Sequence, residues 1–147
     1  MYTRPVVLYV GSDAAAVVDA CEASDTGLAL RPATPEADVG ERLAESGFDA
    51  VVCDCDGSFD GLAVVEAVRE HSASLPVVVL SVGDAVPLAA ATELGVESYL
   101  QVDADTDRPE TLTDLEPLIE RRRAERRESA MLDSLLGNLP LSVDFKD

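Results

Sequence analysis

The residues best placed to do chemistry lie in one short stretch, Val51-Val52-Cys53-Asp54-Cys55-Asp56-Gly57-Ser58-Phe59-Asp60-Gly61. The apolar run that precedes Asp54 (Ala50, Val51, Val52, Cys53) is too short for a helix and rich in β-branched residues. This predicts a buried strand whose C-terminal end delivers a carboxylate to a loop. A carboxylate directly after four apolar residues is desolvated unless a cleft lets water in. Such a group suits work as a nucleophile or as a hard ligand for a cation. The plainer reading, solubility at a strand end, fits Asp56 better than Asp54. Cys53 and Cys55 share one face of the strand, but a metal would need more ligands, and Cys21 and His71 are the only candidates. The thiols are therefore expected to be packing groups, and His71, at a helix end, a solvated C-terminal cation.

Several elements must hold this stretch in place. Pro5-Val6-Val7-Leu8-Tyr9-Val10 is a near-continuous apolar run, as expected of a strand covered on both faces. Gly11-Ser12-Asp13 breaks it and offers a helix N-cap, after which Ala14, Val17, Val18 and Cys21 fall at helical spacing. Leu28-Ala29-Leu30 predicts a short second strand, and Thr34-Pro35-Glu36 a helix start leading to Val39 and Leu43. A helix from about Leu62 to His71 follows the third strand. Leu75 to Ser81 predicts a fourth strand, Pro87 to Leu94 a helix stopped by Gly95, and Ser98 to Val102 a fifth strand. Five strands alternating with helices predict a flavodoxin-like (βα)5 doubly wound parallel sheet in the order 2-1-3-4-5. The crevice of such a sheet opens at the C-terminal strand ends between strands one and three, beside Gly11, Ser12, Asp13 and Asp54.

Charge narrows the partners. The chain of 147 residues has 11 Lys+Arg against 29 Asp+Glu, a formal net charge of −18, which argues against nucleic acid because phosphate neutralisation needs a basic face. Lys146 is the only lysine; with the acid excess and abundant Ala and Val, this resembles proteins of salt-loving archaea, where salt screens self-repulsion. No apolar stretch approaches the roughly 18 residues of a membrane span, and no secretory leader is evident, so a cytoplasmic protein is expected.

After Pro109 the character changes. Leu112, Leu115 and Ile119 predict a fifth helix, so the domain is expected to span residues 1–120. Residues 121–147 read as an appendage that prolongs the domain as an extended C-terminal helix. Glu120-Arg121-Arg122-Arg123-Ala124-Glu125-Arg126-Arg127-Glu128 is expected to be a solvated helical linker with Glu/Arg pairs, in preference to an acid-binding or membrane-surface patch. Leu132, Leu135, Leu136 and Leu139 then form a stripe that the remaining chain could not cover, implying pairing with a second copy or a longer polypeptide.

Across about residues 4 to 120 this pattern resembles the receiver domain of two-component signalling proteins. The resemblance rests on Asp54, Phe59-Asp60-Gly61, Leu75-Pro76-Val77-Val78-Val79-Leu80-Ser81 and Gly95-Val96-Glu97-Ser98-Tyr99-Leu100-Gln101. It implies that Asp54 accepts a phosphoryl group from a histidine kinase, that Ser81 and Tyr99 are the switch residues, and that a downstream signalling domain is the other partner. Leu132 to Asp147 resembles the linker helix and first strand of a PAS sensor domain, which implies a fragment of a longer sensor or hybrid kinase.

The departures from that family bear on its chemistry. Gly11 and Ser12 stand where it carries two acids that hold Mg²⁺, and Asp13 lies one place late. Val102 stands where it has a lysine, and the loop from Asp54 to Gly61 is one residue short and lacks a proline. Asp54, the main-chain carbonyl of Asp56 and, as a substitute, Asp13 remain as ligands, so weak Mg²⁺ binding and slow or absent phosphotransfer are expected. Two alternatives stand beside this reading. One is a pseudo-receiver that docks another domain without phosphate. The other is a phosphohydrolase of the haloacid-dehalogenase type, with Asp54 as nucleophile and Asp56 as general acid.

Overall fold

The computed structural model describes residues 4–138 apart from 25, 37 and 46. Five parallel strands, β1 (Val6–Val10), β2 (Ala29–Ala33), β3 (Ala50–Cys55), β4 (Val77–Val82) and β5 (Ser98–Val102), pair in the order β2-β1-β3-β4-β5. This is the flavodoxin-like order that the alternation of elements predicts. Between them run α1 (Ala14–Ala23), α2 (Val39–Glu45), α3 (Gly61–His71) and α4 (Leu88–Glu93), and α5 (Arg108–Asn138) closes the described chain.

Two cores flank the sheet because successive strand side chains point to opposite faces. On one face Leu8, Val10, Val51, Cys53, Val77 and Val79 pack under α2, α3 and α4. On the other, Val7, Tyr9, Ala50, Val52, Val78 and Leu80 meet Ala14, Val18 and Cys21 of α1 and Leu112, Leu115 and Ile119 of α5. Full burial of each large side chain contributes about 1.5–3 kcal/mol. Cys21, Cys53 and Cys55 are buried free thiols, and the described residues contain no cluster of metal-ligating side chains around them.

Two boundaries differ from those read from sequence. Strand β2 runs on through Arg31 and Pro32 to Ala33, although a proline ordinarily ends a strand. It lies at the edge of the sheet, where its outward side has no strand to receive an N–H. Helix α2 begins at Val39, several residues after the Thr34-Pro35-Glu36 signal, which forms a turn instead. The extended C-terminal helix is present as expected, with the arginine-rich segment continuous with Leu112 and Ile119, but that segment is not wholly solvated. Arg123 continues the apolar stripe one turn beyond Ile119, is only 6% exposed, and pairs with Asp49 at 3.6 Å. Arg122 does form the expected exposed pair with Glu125, at 2.8 Å, and a second with Glu97 at 2.6 Å.

Helix α5 is thus tied along its length. In its N-terminal third, Glu116 accepts hydrogen bonds from Thr26 Oγ1 (2.7 Å) and the Gly27 amide (2.6 Å). Pro117 sits inside the helix and leaves one main-chain bond unmade. Past Arg123 no element among the described residues covers the helix, and Met131, Leu132, Leu135 and Leu136 are each more than half exposed. Leu139 and the PAS-like residues to Asp147 lie outside the described residues.

The start of α3 is the tightest packing around the β3 loop. A Cβ on Gly61 would lie 2.4 Å from the Cys55 sulfur and 2.8 Å from Val86 Cγ2. Gly61→Ala is therefore expected to lower the unfolding free energy by about 1–3 kcal/mol through overpacking, as read from urea denaturation.

Candidate functional site

Asp54 alternates along β3 with Cys53 and Cys55, so its side chain lies on the α1/α5 side of the sheet, near the C-terminal strand ends. Only 12% of that side chain is exposed. The carboxylate is met there by Arg108, the first residue of α5 and itself 10% exposed. Arg108 Nε donates to Asp54 Oδ2 at 2.9 Å and Nη2 donates to Oδ1 at 3.2 Å, a two-point contact. Its remaining arm, Nη1, donates to the carbonyls of Asp103 (3.0 Å) and Thr106 (2.9 Å), which fixes the guanidinium in the β5–α5 loop. The hydroxyl of the buried Tyr9 donates to Oδ2 from β1.

The electrostatics follow from this geometry. Burial opposes the Arg108 charge, but the hydrogen bonds and negative field of Asp54 outweigh it and hold the guanidinium above its ordinary pKa. Burial first, then the charge and hydrogen bond of Asp54, pushes the Tyr9 hydroxyl far above the tyrosine range. Burial likewise pushes the Cys55 thiol up to about 12 and keeps it protonated.

A cleft of about 260 Å³ opens beside the pair, lined by Ser12, Asp13, Asp54, Asp56 and Arg108 among others. Asp56 lies at its rim, where its carboxylate accepts hydrogen bonds from Ser12 Oγ (2.6 Å), Ser58 Oγ (2.6 Å) and the Ser58 amide (2.9 Å). The bonds from Ser12 and Ser58 hold its carboxyl below the usual carboxylate value. Asp13 is at the cleft, in the N-cap position of α1 but without a side-chain capping bond. Gly11 approaches Asp54 closely: a Cβ there would lie 3.3 Å from Asp54 Cβ and 3.4 Å from its carbonyl oxygen. The position next to the Asp54 carboxylate is therefore tight for any side chain.

As arranged, these groups do not fit Mg²⁺. The ion asks for several hard oxygens in an octahedron, yet both Asp54 oxygens accept hydrogen bonds and the Asp56 carboxylate is bound by two serines. The described residues contain no group of three or more acids, histidines or cysteines placed to hold a metal.

Ser81 and Tyr99 come together, but on the other side of the sheet from Asp54. The β3–β4 register aligns Asp54 with Leu80 and Cys55 with Ser81, so Asp54 and Ser81 point to opposite faces. Ser81 Oγ accepts from the Val86 amide and donates to the Gly83 carbonyl, both at 3.1 Å. The Tyr99 hydroxyl donates to the Val86 carbonyl, and its ring packs against the same core. Val102 packs, partly buried, against the opposite core. His71 stands in the last turn of α3 as expected, but it is Arg69 that donates to the carbonyls of Leu94, Ser72, Leu75 and Gly95 there.

Tyr9 and Arg108 did not stand out from the sequence, although each carried a signal. Tyr9 is the one hydroxyl in an apolar strand, and a buried phenol needs a partner. Arg108 begins a helix just before Pro109, where the helix dipole disfavours a cation unless an anion compensates it.

The chain matches no protein-family model and no curated protein. Solved structures do match. The signal receiver domain of an HD domain-containing protein from Pseudomonas fluorescens aligns at 22% identity and a TM-score of 0.63, over 86% of this chain and 95% of that one. The fold is the receiver fold. The chemotaxis response regulator CheY4 of Vibrio cholerae aligns at 24% identity and a TM-score of 0.58, over 80% of this chain and 99% of its own. The receiver domain of the sensor histidine kinase PA1611 from Pseudomonas aeruginosa, which has a magnesium ion coordinated in its active site cleft, aligns at 18% identity and a TM-score of 0.54, over 83% and 99%. On this receiver fold, the cation that meets Asp54 comes from α5.

Two outcomes follow for the Asp54 cluster. Arg108→Met is expected to cost about 3 kcal/mol, the low end for stripping a buried charge of its partner. Adding Asp54→Asn should cost less than the sum, with a coupling of about 1–3 kcal/mol in urea melts. Tyr9 holds its proton more tightly folded than unfolded, so its contribution is complete below about pH 10, the ordinary tyrosine value, and is lost as pH rises above it. Tyr9→Phe should remove that part of the alkaline loss, measured by comparing unfolding midpoints of both proteins on either side of about pH 10.

Proposed function

We propose that residues 4–120 form a receiver module of two-component phosphorelay signalling, with Asp54 as phosphoacceptor in a site built for slow transfer. The observation that carries this reading is the place of Asp54: a partly buried carboxylate ending β3, in a cleft at the C-terminal strand ends where the sheet order reverses between β1 and β3. Of its two oxygens, Oδ2 accepts from both Tyr9 and Arg108, whereas Oδ1 has only the longer Arg108 contact. Oδ1 is therefore the nucleophile. It attacks phosphorus of a phosphohistidine, an O–P bond forms as the N–P bond breaks, and the departing imidazole takes up a proton. Arg108 is then the nearest cation to the phosphoryl oxygens, in the absence of a lysine at Val102. Ser81 and Tyr99, joined through Val86, are the switch pair of this reading. The partners are a histidine kinase and a downstream domain, with residues 121–147 the linker towards a PAS-like unit and the acid excess an adaptation to concentrated salt.

The second reading, an interaction module that works without phosphate, draws on the two hydrogen-bond donors already seated on Asp54. A phosphohydrolase is disfavoured, because its general acid must start protonated and the bonds from Ser12 and Ser58 keep Asp56 ionised. Incubation with acetyl phosphate and Mg²⁺, followed by intact mass measurement, tests the proposal. A minor population carrying one phosphoryl group in the wild type, and none in Asp54→Asn, is the expected result. No adduct under any condition, including a cognate kinase, would overturn it in favour of the phosphate-independent module.

A further inference from the structure

A carboxylate at a cleft in a chain of net charge −18 draws cations, and the one it holds here is part of the protein. Arg108 meets both oxygens of Asp54. Its third arm is held by the carbonyls of Asp103 and Thr106, so little ordering remains to be done when the pair forms. For a divalent ion to take Oδ2, both Arg108 and Tyr9 must turn away, and at Oδ1 it must share the oxygen with Arg108, whose charge repels it. The lysine position is filled by Val102, an apolar core residue, and the acid position by Gly11, where a side chain would crowd Asp54. These features have one common effect: they replace an exchangeable counter-ion by a tethered one.

We propose that Arg108 is the resident counter-ion of Asp54, that it competes with divalent cations for that carboxylate, and that removing its charge opens the cleft to Mg²⁺. The proposal deepens the reading above and depends on it only for taking the Asp54 cleft as the functional one. The affinity of the site for a divalent ion is multiplied by the fraction of time that Arg108 spends away from Asp54.

The test is metal binding by the whole chain, without a phosphodonor. Mg²⁺ is titrated calorimetrically at fixed KCl into wild type, Arg108→Met, Arg108→Lys, and Arg108→Met combined with Asp54→Asn. Mn²⁺ serves as a paramagnetic probe of the Tyr9 ring by NMR. Arg108→Met is expected to bind Mg²⁺ more than about tenfold tighter than wild type, as removal of an internal competitor requires. Arg108→Lys should stay weak, and the gain should vanish with Asp54→Asn. Equal affinity in wild type and Arg108→Met, or a gain that survives Asp54→Asn, overturns the proposal. Should Arg108→Met not fold without metal, wild type still decides: Tyr9 resonances are expected to stay sharp at Mn²⁺ concentrations that broaden the exposed acidic loops, and selective broadening of Tyr9 overturns the proposal. Failure of phosphoryl uptake by Asp54 would leave these results unaffected, so the two readings fail separately.

Discussion

A charge withdrawn from water at the end of a buried strand has to be compensated, and much of this fold is arranged around how Asp54 is compensated. An isolated carboxylate in such a place would be protonated or would destabilise the fold by several kcal/mol. Here the positive charge comes from Arg108 and the second hydrogen bond from Tyr9. The three residues belong to β3, α5 and β1, far apart in the chain, so the interaction exists only once the sheet and its last helix have assembled.

That dependence gives α5 a larger part than a covering helix would have. It shields one face of the sheet with Leu112, Leu115 and Ile119, supplies the cation at one end of the strands, and reaches Asp49 with Arg123 at the other. The same residue that compensates Asp54 is thus the root of the helix that leaves the domain. Ser81 and Tyr99 work on the opposite face, where both engage Val86. The two faces of the sheet are joined here by the strands themselves, through the adjacent β3 and β4 positions of Asp54 and Ser81.

The architecture was legible because its signals are local and repeated. Runs such as Val77 to Leu80 and the glycines that end helices mark strands and stops without knowledge of the rest of the chain, and the strand order follows from topology. Asp54 was legible for the same reason, as an acid set against an apolar run. Its partners were not, because hydrogen bonds between residues 45 or 54 positions apart leave no periodic trace. The cation is not at Val102, where the resemblance would put a lysine, but at the next arginine along the chain, Arg108. Arg123 was misread for a related reason: a stripe that ends in a charge looks solvated until the facing Asp49 is known. The extent of β2 depended on which strand is at the edge, and so on the assembled sheet.

One consequence concerns how a disturbance at Asp54 would travel. Helix α5 resembles a strut fastened at both rims of the sheet, by Arg108 at one and Arg123 at the other, with a single weak section at Pro117. If the first fastening opens while the second holds, the strut does not slide as a whole, and strain collects where a main-chain hydrogen bond is already missing. The overhang beyond Arg123 extends roughly 22 Å at 1.5 Å per residue, so a few degrees of bending at its base become a displacement of an ångström or more at its tip.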